Sequence, residues 1–271
     1  MTEKSPPPAK KSGLMLRVLS ALVMLPIAIF IILQGGVVYQ VFVALFSILI
    51  LFEWNGICEK RPLNAVFYIQ ALLILMIVFD GIADVPAPYV WGGLLVSLVP
   101  VAFIFRIKPH YAVLGALYAA VPAASMIWLR ETVELGGFIV LWCMIIVWSM
   151  DTGAYFAGKN IGGPKLAPRI SPNKTWAGLV GGALTAVITG LIAGYYFDLA
   201  AVHVVWTWQW VVPIAAGLAI WSQIGDLFES ALKRHFAVKD SGAIIPGHGG
   251  IMDRVDGVVF AAPVVALFLY L

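Results

Sequence analysis

Asp226, Asp253 and Asp256 stand close together near the C-terminal end of a chain that is otherwise poor in charge. Between and around them run residues 230–257, SALKRHFAVKDSGAIIPGHGGIMDRVDG, with seven charged side chains and two of the four histidines. Carboxylates grouped in this way suit a hard cation, and oxygen ligands on a site partly open to water are what Mg²⁺ prefers. Asp226 and Asp253 are the first candidates as ligands. Asp256 stands behind them, since it could instead pair with Arg254 or cap a helix. Zinc fits poorly, because the histidines show no HExxH or Cys/His spacing. A monovalent cation such as K⁺ beside the Mg²⁺ stays open.

Spacing gathers more of these residues. Ser222, Asp226, Glu229, Ser230 and Lys233 recur at i, i+4, i+7, i+8 and i+11, which on a helix places all five within a wedge of about 100°. Asp226 directly follows the apolar AGLAIWSQIG, at the membrane edge, where an ionisable group is costly and needs a partner. A helix end with its polar face in water would show the same pattern. Downstream, Gly249 and Gly250 follow His248 in PGHGG, and backbone without side chains lets phosphate oxygens pack close. Lys233, Arg234, Lys239 and Arg254 add positive charge. His248 joins them as a catalytic candidate, although a lone loop histidine serves equally as a hydrogen-bonded structural residue.

A second polar segment, 151–178, reads DTGAYFAGKNIGGPKLAPRISPNKTWAG. SPNK predicts a helix start, with Ser171 as N-cap and Pro172 at the first helical position. The free N–H groups and dipole of that helix would form an anion site. Lys174 in its first turn adds charge, and Ser171 and Asn173 would hydrogen-bond a phosphate. A basic loop resting on anionic lipid headgroups is the alternative. Taken together, carboxylates, glycines and cations amount to a polyphosphate site, and neither a P-loop nor a GxGxxG is present.

These segments must be positioned by apolar elements. The chain is 62% hydrophobic and 11% charged, against roughly 25% charged in an ordinary soluble domain. Apolar runs of the length needed to cross a bilayer, about 17 to 25 residues, recur throughout. The expected fold is all-α, a polytopic transmembrane helical bundle, with apolar segments near 18–33, 37–52, 63–79, 87–105, 111–129, 135–150, 176–197, 208–228 and 255–271. Pro26 and Pro100 fall inside segments, as membrane helices tolerate. Trp residues near predicted ends, Trp54 among them, suggest an aromatic belt. Residues 1–17 read as a basic cytoplasmic tail. Residues 18–271 read as one membrane-embedded catalytic domain with active-site loops at 151–175 and 229–254. The first span is expected to stay uncleaved, since no small-residue cleavage site follows it. Placing the N-terminus in the cytoplasm puts every Lys and Arg except Arg130 on the inner side, as the positive-inside rule requires. A net charge of +3 does not suggest nucleic acid. Cys58, in a polar loop, and Cys143, in mid-span, belong to no CxxC pair.

The stretch 230–256, S-x-L-K-R-x4-K-D-x-G-x2-I-P-x-H-G-G-I-x-D-R-V-D, resembles the signature of the phosphatidate cytidylyltransferases without departure, and SPNKTWAG at 171–178 resembles that family's second motif. The resemblance implies Mg²⁺-dependent conversion of CTP and phosphatidate to CDP-diacylglycerol and pyrophosphate. It also implies a homodimer, for which GLVGG at 178–182 offers a small-residue packing face. The lipid substrate and the cytosine base rest on the resemblance alone. A compact chain without long extensions points to a bacterial plasma membrane, with the active site facing the cytoplasm. A CDP-alcohol phosphotransferase would need a spaced D-G…A-R…G…D…D helix, which is missing. An ion-coupled transporter would carry its charges near the midplane in repeated halves.

Overall fold

The computed structural model describes residues 11–79, 87–201, 207–245 and 249–270. The predicted tail residues Lys4 and Lys10 lie outside these, as do Pro246, Gly247 and His248. Nine α-helices are present among the described residues: α1 Lys11–Gln34, α2 Gly36–Glu59, α3 Ala65–Val78, α4 Ala87–Ile104, α5 Pro109–Glu131, α6 Gly136–Asn160, α7 Trp176–Tyr196, α8 Trp208–His235 and α9 Met252–Tyr270. Each predicted apolar segment falls on one of them. The α1 helix also takes in the stretch 11–17 assigned to the tail.

Five helices, α2, α5, α6, α7 and α8, are long and apolar enough to cross a bilayer, and α1, α3 and α4 carry shorter apolar stretches. In hydrocarbon a backbone must satisfy its own hydrogen bonds, and helices do so within one segment. Side chains such as Val180, Leu184, Ile188 and Ile192 project outward from α7, where lipid replaces water. The chain is therefore all-α and a multi-pass membrane protein.

The buried centre is α6, where Trp142, Cys143, Ile146, Val147 and Met150 are almost fully enclosed. Its partner in an antiparallel hairpin is α7, and small residues set their separation. A Cβ on Gly182 would fall 2.6 Å from the Met150 carbonyl, and one on Gly181 2.3 Å from the Ala157 Cβ. The Trp142 indole N–H donates to the Gly190 carbonyl at 2.8 Å. This corrects one expectation: Gly178, Gly181 and Gly182 of GLVGG pack against α6 of the same chain, so they are not free to face a second copy.

Two boundaries also differ from the sequence reading. The helix α6 runs on to Asn160 and α8 to His235, so the irregular polar connections are shorter than 151–175 and 229–254. The SPNK stretch is not a helix start. Strand β1, Lys165–Ala167, pairs antiparallel with β2, Ser171–Thr175, Lys165 opposite Thr175 and Ala167 opposite Ser171. Pro172 restricts Ser171 to extended backbone, and the Trp176 N–H closes the ribbon on the Pro164 carbonyl at 3.1 Å. The true N-cap of α7 is Thr175, whose hydroxyl accepts from the Gly178 N–H at 3.1 Å.

At the opposite end of the bundle, Arg130 donates to the Ile32 carbonyl at 2.5 Å and the Leu33 carbonyl at 2.7 Å. A helix leaves its last carbonyls without partners, and Arg130 caps the end of α1 by engaging them. Its neighbour Glu131 accepts from the Gly36 N–H at 2.8 Å, where α2 begins.

Candidate active site

The two polar segments meet on α8. Lys174, on β2, places its ammonium 2.5 Å from Asp226 Oδ2, and the Ser230 hydroxyl donates to Asp226 Oδ1 at 3.2 Å. One turn on, Lys233 lies 2.7 Å from Glu229 Oε2 and also pairs with Asp253 of α9. The wedge read from spacing is real: Ser222, Glu229 and Lys233 are buried, and α8 directs its polar face at its neighbours rather than at water. Asp226 thus has the partner its position demands, and that partner is Lys174.

Asp253 sits in the first turn of α9, ahead of that helix's apolar run. Its Oδ2 accepts from the N–H groups of Ser241 and Gly250, both at 3.0 Å. Burial alone would raise this carboxyl, but the hydrogen bond from Lys233 and those two backbone donors outweigh burial and hold it down at about 2. Asp253 is therefore ionised at any pH near neutrality. Glu229 lies within Coulombic range of Asp253, and Asp256 within range of Asp226, Glu229 and Asp151. Glu229 keeps one carboxylate oxygen, Oε1, buried and without a hydrogen-bond partner among the described residues.

The remaining predicted residues divide. Gly249 has φ +88°, which glycine adopts without strain, and exchanges two backbone hydrogen bonds with Ile245, closing the loop. Gly250 has no room for a side chain, because a Cβ there would fall 1.9 Å from Ser241 Oγ. Arg234 is exposed and reaches the carbonyls of Ile170 at 3.4 Å and Val238 at 3.3 Å, which ties α8 to the ribbon. Lys239 and Arg254 are exposed, and Arg254 lies within Coulombic range of Asp151. Asp256 Oδ1 accepts from the Gly257 N–H at 2.9 Å. Ser171 and Asn173 lie on β2 instead of at a helix start, Asn173 exposed. Lys174 consequently precedes α7 rather than lying in its first turn. His248 falls outside the described residues.

Sequence reasoning passed over Glu53 on α2. It is 2% exposed, and its carboxylate accepts from the Ser241 hydroxyl, the Ile251 N–H and the Met252 N–H, each at 2.8 Å. The signal was an acid inside an apolar run, in FEWNGI. Its neighbours there are also buried. The Trp54 indole N–H donates to the Tyr111 carbonyl at 3.0 Å, so this residue is a brace to α5 and no part of an interfacial belt. Asn55 donates to Gln70 Oε1 at 2.8 Å, and Gln70 to the Ala112 carbonyl at 2.7 Å.

What such a site can do is hold and align anions. Two lysines and a nearby arginine face a group of carboxylates at one end of the helical bundle. Residues 15–271 match the model of the cytidylyltransferase family. The chain belongs to that family. It is 37% identical over 262 residues to a phosphatidate cytidylyltransferase of Brucella suis, covering 95% of this chain and 93% of that one. The phosphatidate cytidylyltransferases of Staphylococcus epidermidis and Staphylococcus aureus are each 34% identical, over 93% of this chain and 98% of theirs.

Proposed function

We propose that the chain transfers CMP from CTP to phosphatidate, giving CDP-diacylglycerol and pyrophosphate for phospholipid synthesis. A phosphate oxygen of phosphatidate attacks the α-phosphorus of CTP, a new P–O bond forms, and the α–β bridging bond breaks with its electron pair on pyrophosphate. The second pKa of a phosphomonoester is about 6, so this nucleophile is already largely ionised at neutral pH. No protein base is required. The barrier is repulsion between two polyanions, and preorganised positive charge is what lowers it.

The observation that carries this reading is the convergence on α8, where Lys174 meets Asp226 and Lys233 meets Asp253. The lysines neutralise and align phosphates, and Arg234, Lys239 and Arg254 rim the same end. His248, Ser171, Asn173, Gly249 and Gly250 remain candidates for contact with the substrates. The donor set suits Mg²⁺: all the acids offer oxygen, and Glu229 Oε1 is buried with an unused lone pair. Asp226, Asp253 and Asp256 would hold the ion. No group of three His, Cys, Asp or Glu side chains already converges at metal distance among the described residues; Lys174 pairs with Asp226, and Lys233 with Glu229 and Asp253. Bound Mg²⁺ would polarise phosphate oxygens and neutralise charge as pyrophosphate leaves. A K⁺ ion beside it is compatible with so many carboxylates.

We further propose nine spans with the N-terminus and the site on the cytoplasmic side of a bacterial inner membrane, where CTP is available. A homodimer would have to use a face other than the α7 glycines. The test is to incubate purified protein with radiolabelled CTP, phosphatidate and Mg²⁺. Lipid-linked CMP and free pyrophosphate are expected. A protein that binds CTP and makes no labelled lipid would overturn the proposal.

A further inference from the structure

We infer that Glu53 is a positioning residue for this reaction: from α2 it fixes the loop that orients Asp253, and through Asp253 the ammonium of Lys233. The inference deepens the function proposed above and rests on it.

The hydrogen bonds interleave. Ser241 gives its N–H to Asp253 and its hydroxyl to Glu53. Gly250 gives its N–H to Asp253, and the next two N–H groups, of Ile251 and Met252, go to Glu53. Both ends of the loop are therefore held between two carboxylates, one from α2 and one from α9. Glu53 thus holds the same backbone that supplies Asp253 with its two donors. Two glycines confirm how tightly the loop closes on the buried acid. A Cβ on Gly242 or on Gly250 would fall 2.6 Å from a Glu53 oxygen. The Met252 N–H opens α9, so Glu53 also sits at the positive end of that helix.

The anchor is itself rigid. Trp54 and Asn55 tie the same turn of α2 to α5 and α3 through a part-buried and a buried hydrogen bond respectively. Three consecutive polar side chains in an apolar helix thus face three different elements. Only Glu53 reaches the loop with the site aspartate. A residue that merely filled space would need no charge here, and burying a carboxylate without partners is costly.

Glu53→Gln keeps the shape and loses one acceptor oxygen, so the Ile251 and Met252 N–H groups cannot both be served. Outer partners of catalytic groups typically matter about 10- to 100-fold in activity. The purified variant, assayed as CDP-diacylglycerol formed, should lose kcat by about tenfold or more on that scale. Its elution profile in detergent should match wild type, with the thermal midpoint lowered by no more than the cost of one unserved buried N–H. Adding Ser241→Ala to Glu53→Gln should cost little further, because both break the same clamp. A lower thermal midpoint with wild-type kcat would make Glu53 purely structural and overturn the inference. Should Glu53→Gln not accumulate as folded protein, Ser241→Ala alone decides: reduced kcat supports the inference and an unchanged kcat overturns it. Wild type run alongside separates the two readings. No labelled lipid from wild type removes the function and this inference together, whereas active wild type with an equally active Glu53→Gln removes the inference alone.

Discussion

Lys174 and Lys233 both hold carboxylates here, and the proposed reaction would bring two anionic substrates to them. Their positive charge is fixed before any substrate arrives, and fixed charge is what a repulsive phosphoryl encounter needs. Lys174→Ala should lower kcat/KM for CTP by about 10²-fold or more, the scale of one lost electrostatic stabiliser, with the protein still monodisperse in detergent. A rate within twofold of wild type would reassign Lys174 to the lipid surface. The acids make the complementary prediction. Stripping divalent ions with a chelator should stop turnover, and Mg²⁺ should restore it, whereas Asp226→Asn should not recover at any Mg²⁺ concentration. Persistent activity in excess chelator would sink the metal assignment. Much of this site was legible at residue level, because helical spacing alone lined up Asp226, Glu229 and Lys233. Glu53 was not. Its contacts lie 188 to 199 residues away in sequence, and a single acid in an apolar run reads as an anomaly until α9 is set beside α2.

At the scale of elements, one short stretch shows how two local signals compete. Ser-Pro followed by polar residues fits a helix N-terminus, and it fits equally the edge of a short ribbon, since Pro cannot donate to a ladder. The ribbon prevails because β1 lies opposite to pair with it, and the cap passes to Thr175. Thr175→Ala should therefore destabilise the protein by about 1 kcal/mol, as lost caps do, while Ser171→Ala should leave the thermal midpoint unchanged. The reverse order would restore Ser171 as the cap. The shift matters for function, because it moves Lys174 off α7 onto an extended strand that can reach α8. Each apolar segment falls on a helix, and five of those helices are long and apolar enough to span a bilayer. Where α6 and α8 end was not legible, because a helix carrying an ordered polar face keeps its hydrogen bonds past the apolar edge.

For the whole molecule, charge and packing agree on polarity. Lys174, Lys233, Arg234, Lys239 and Arg254 gather at the end where β1 and β2 lie, and Arg130 sits at the other end closing α1 against α2. If the positive-inside rule governs this chain, the ribbon end faces the cytoplasm. Arg130 is then tolerated outside because the carbonyls of Ile32 and Leu33 engage it. Single cysteines can read this directly. In a background with Cys58 and Cys143 replaced, Lys239→Cys and Glu134→Cys would place thiols at exposed positions on opposite ends of the bundle. A membrane-impermeant maleimide added to intact spheroplasts should label the thiol at 134 and spare that at 239. Inverted vesicles should give the opposite pattern. Labelling of both from one side would break the proposed topology, and labelling of 239 alone in spheroplasts would turn the molecule over and take its active site away from cytoplasmic CTP.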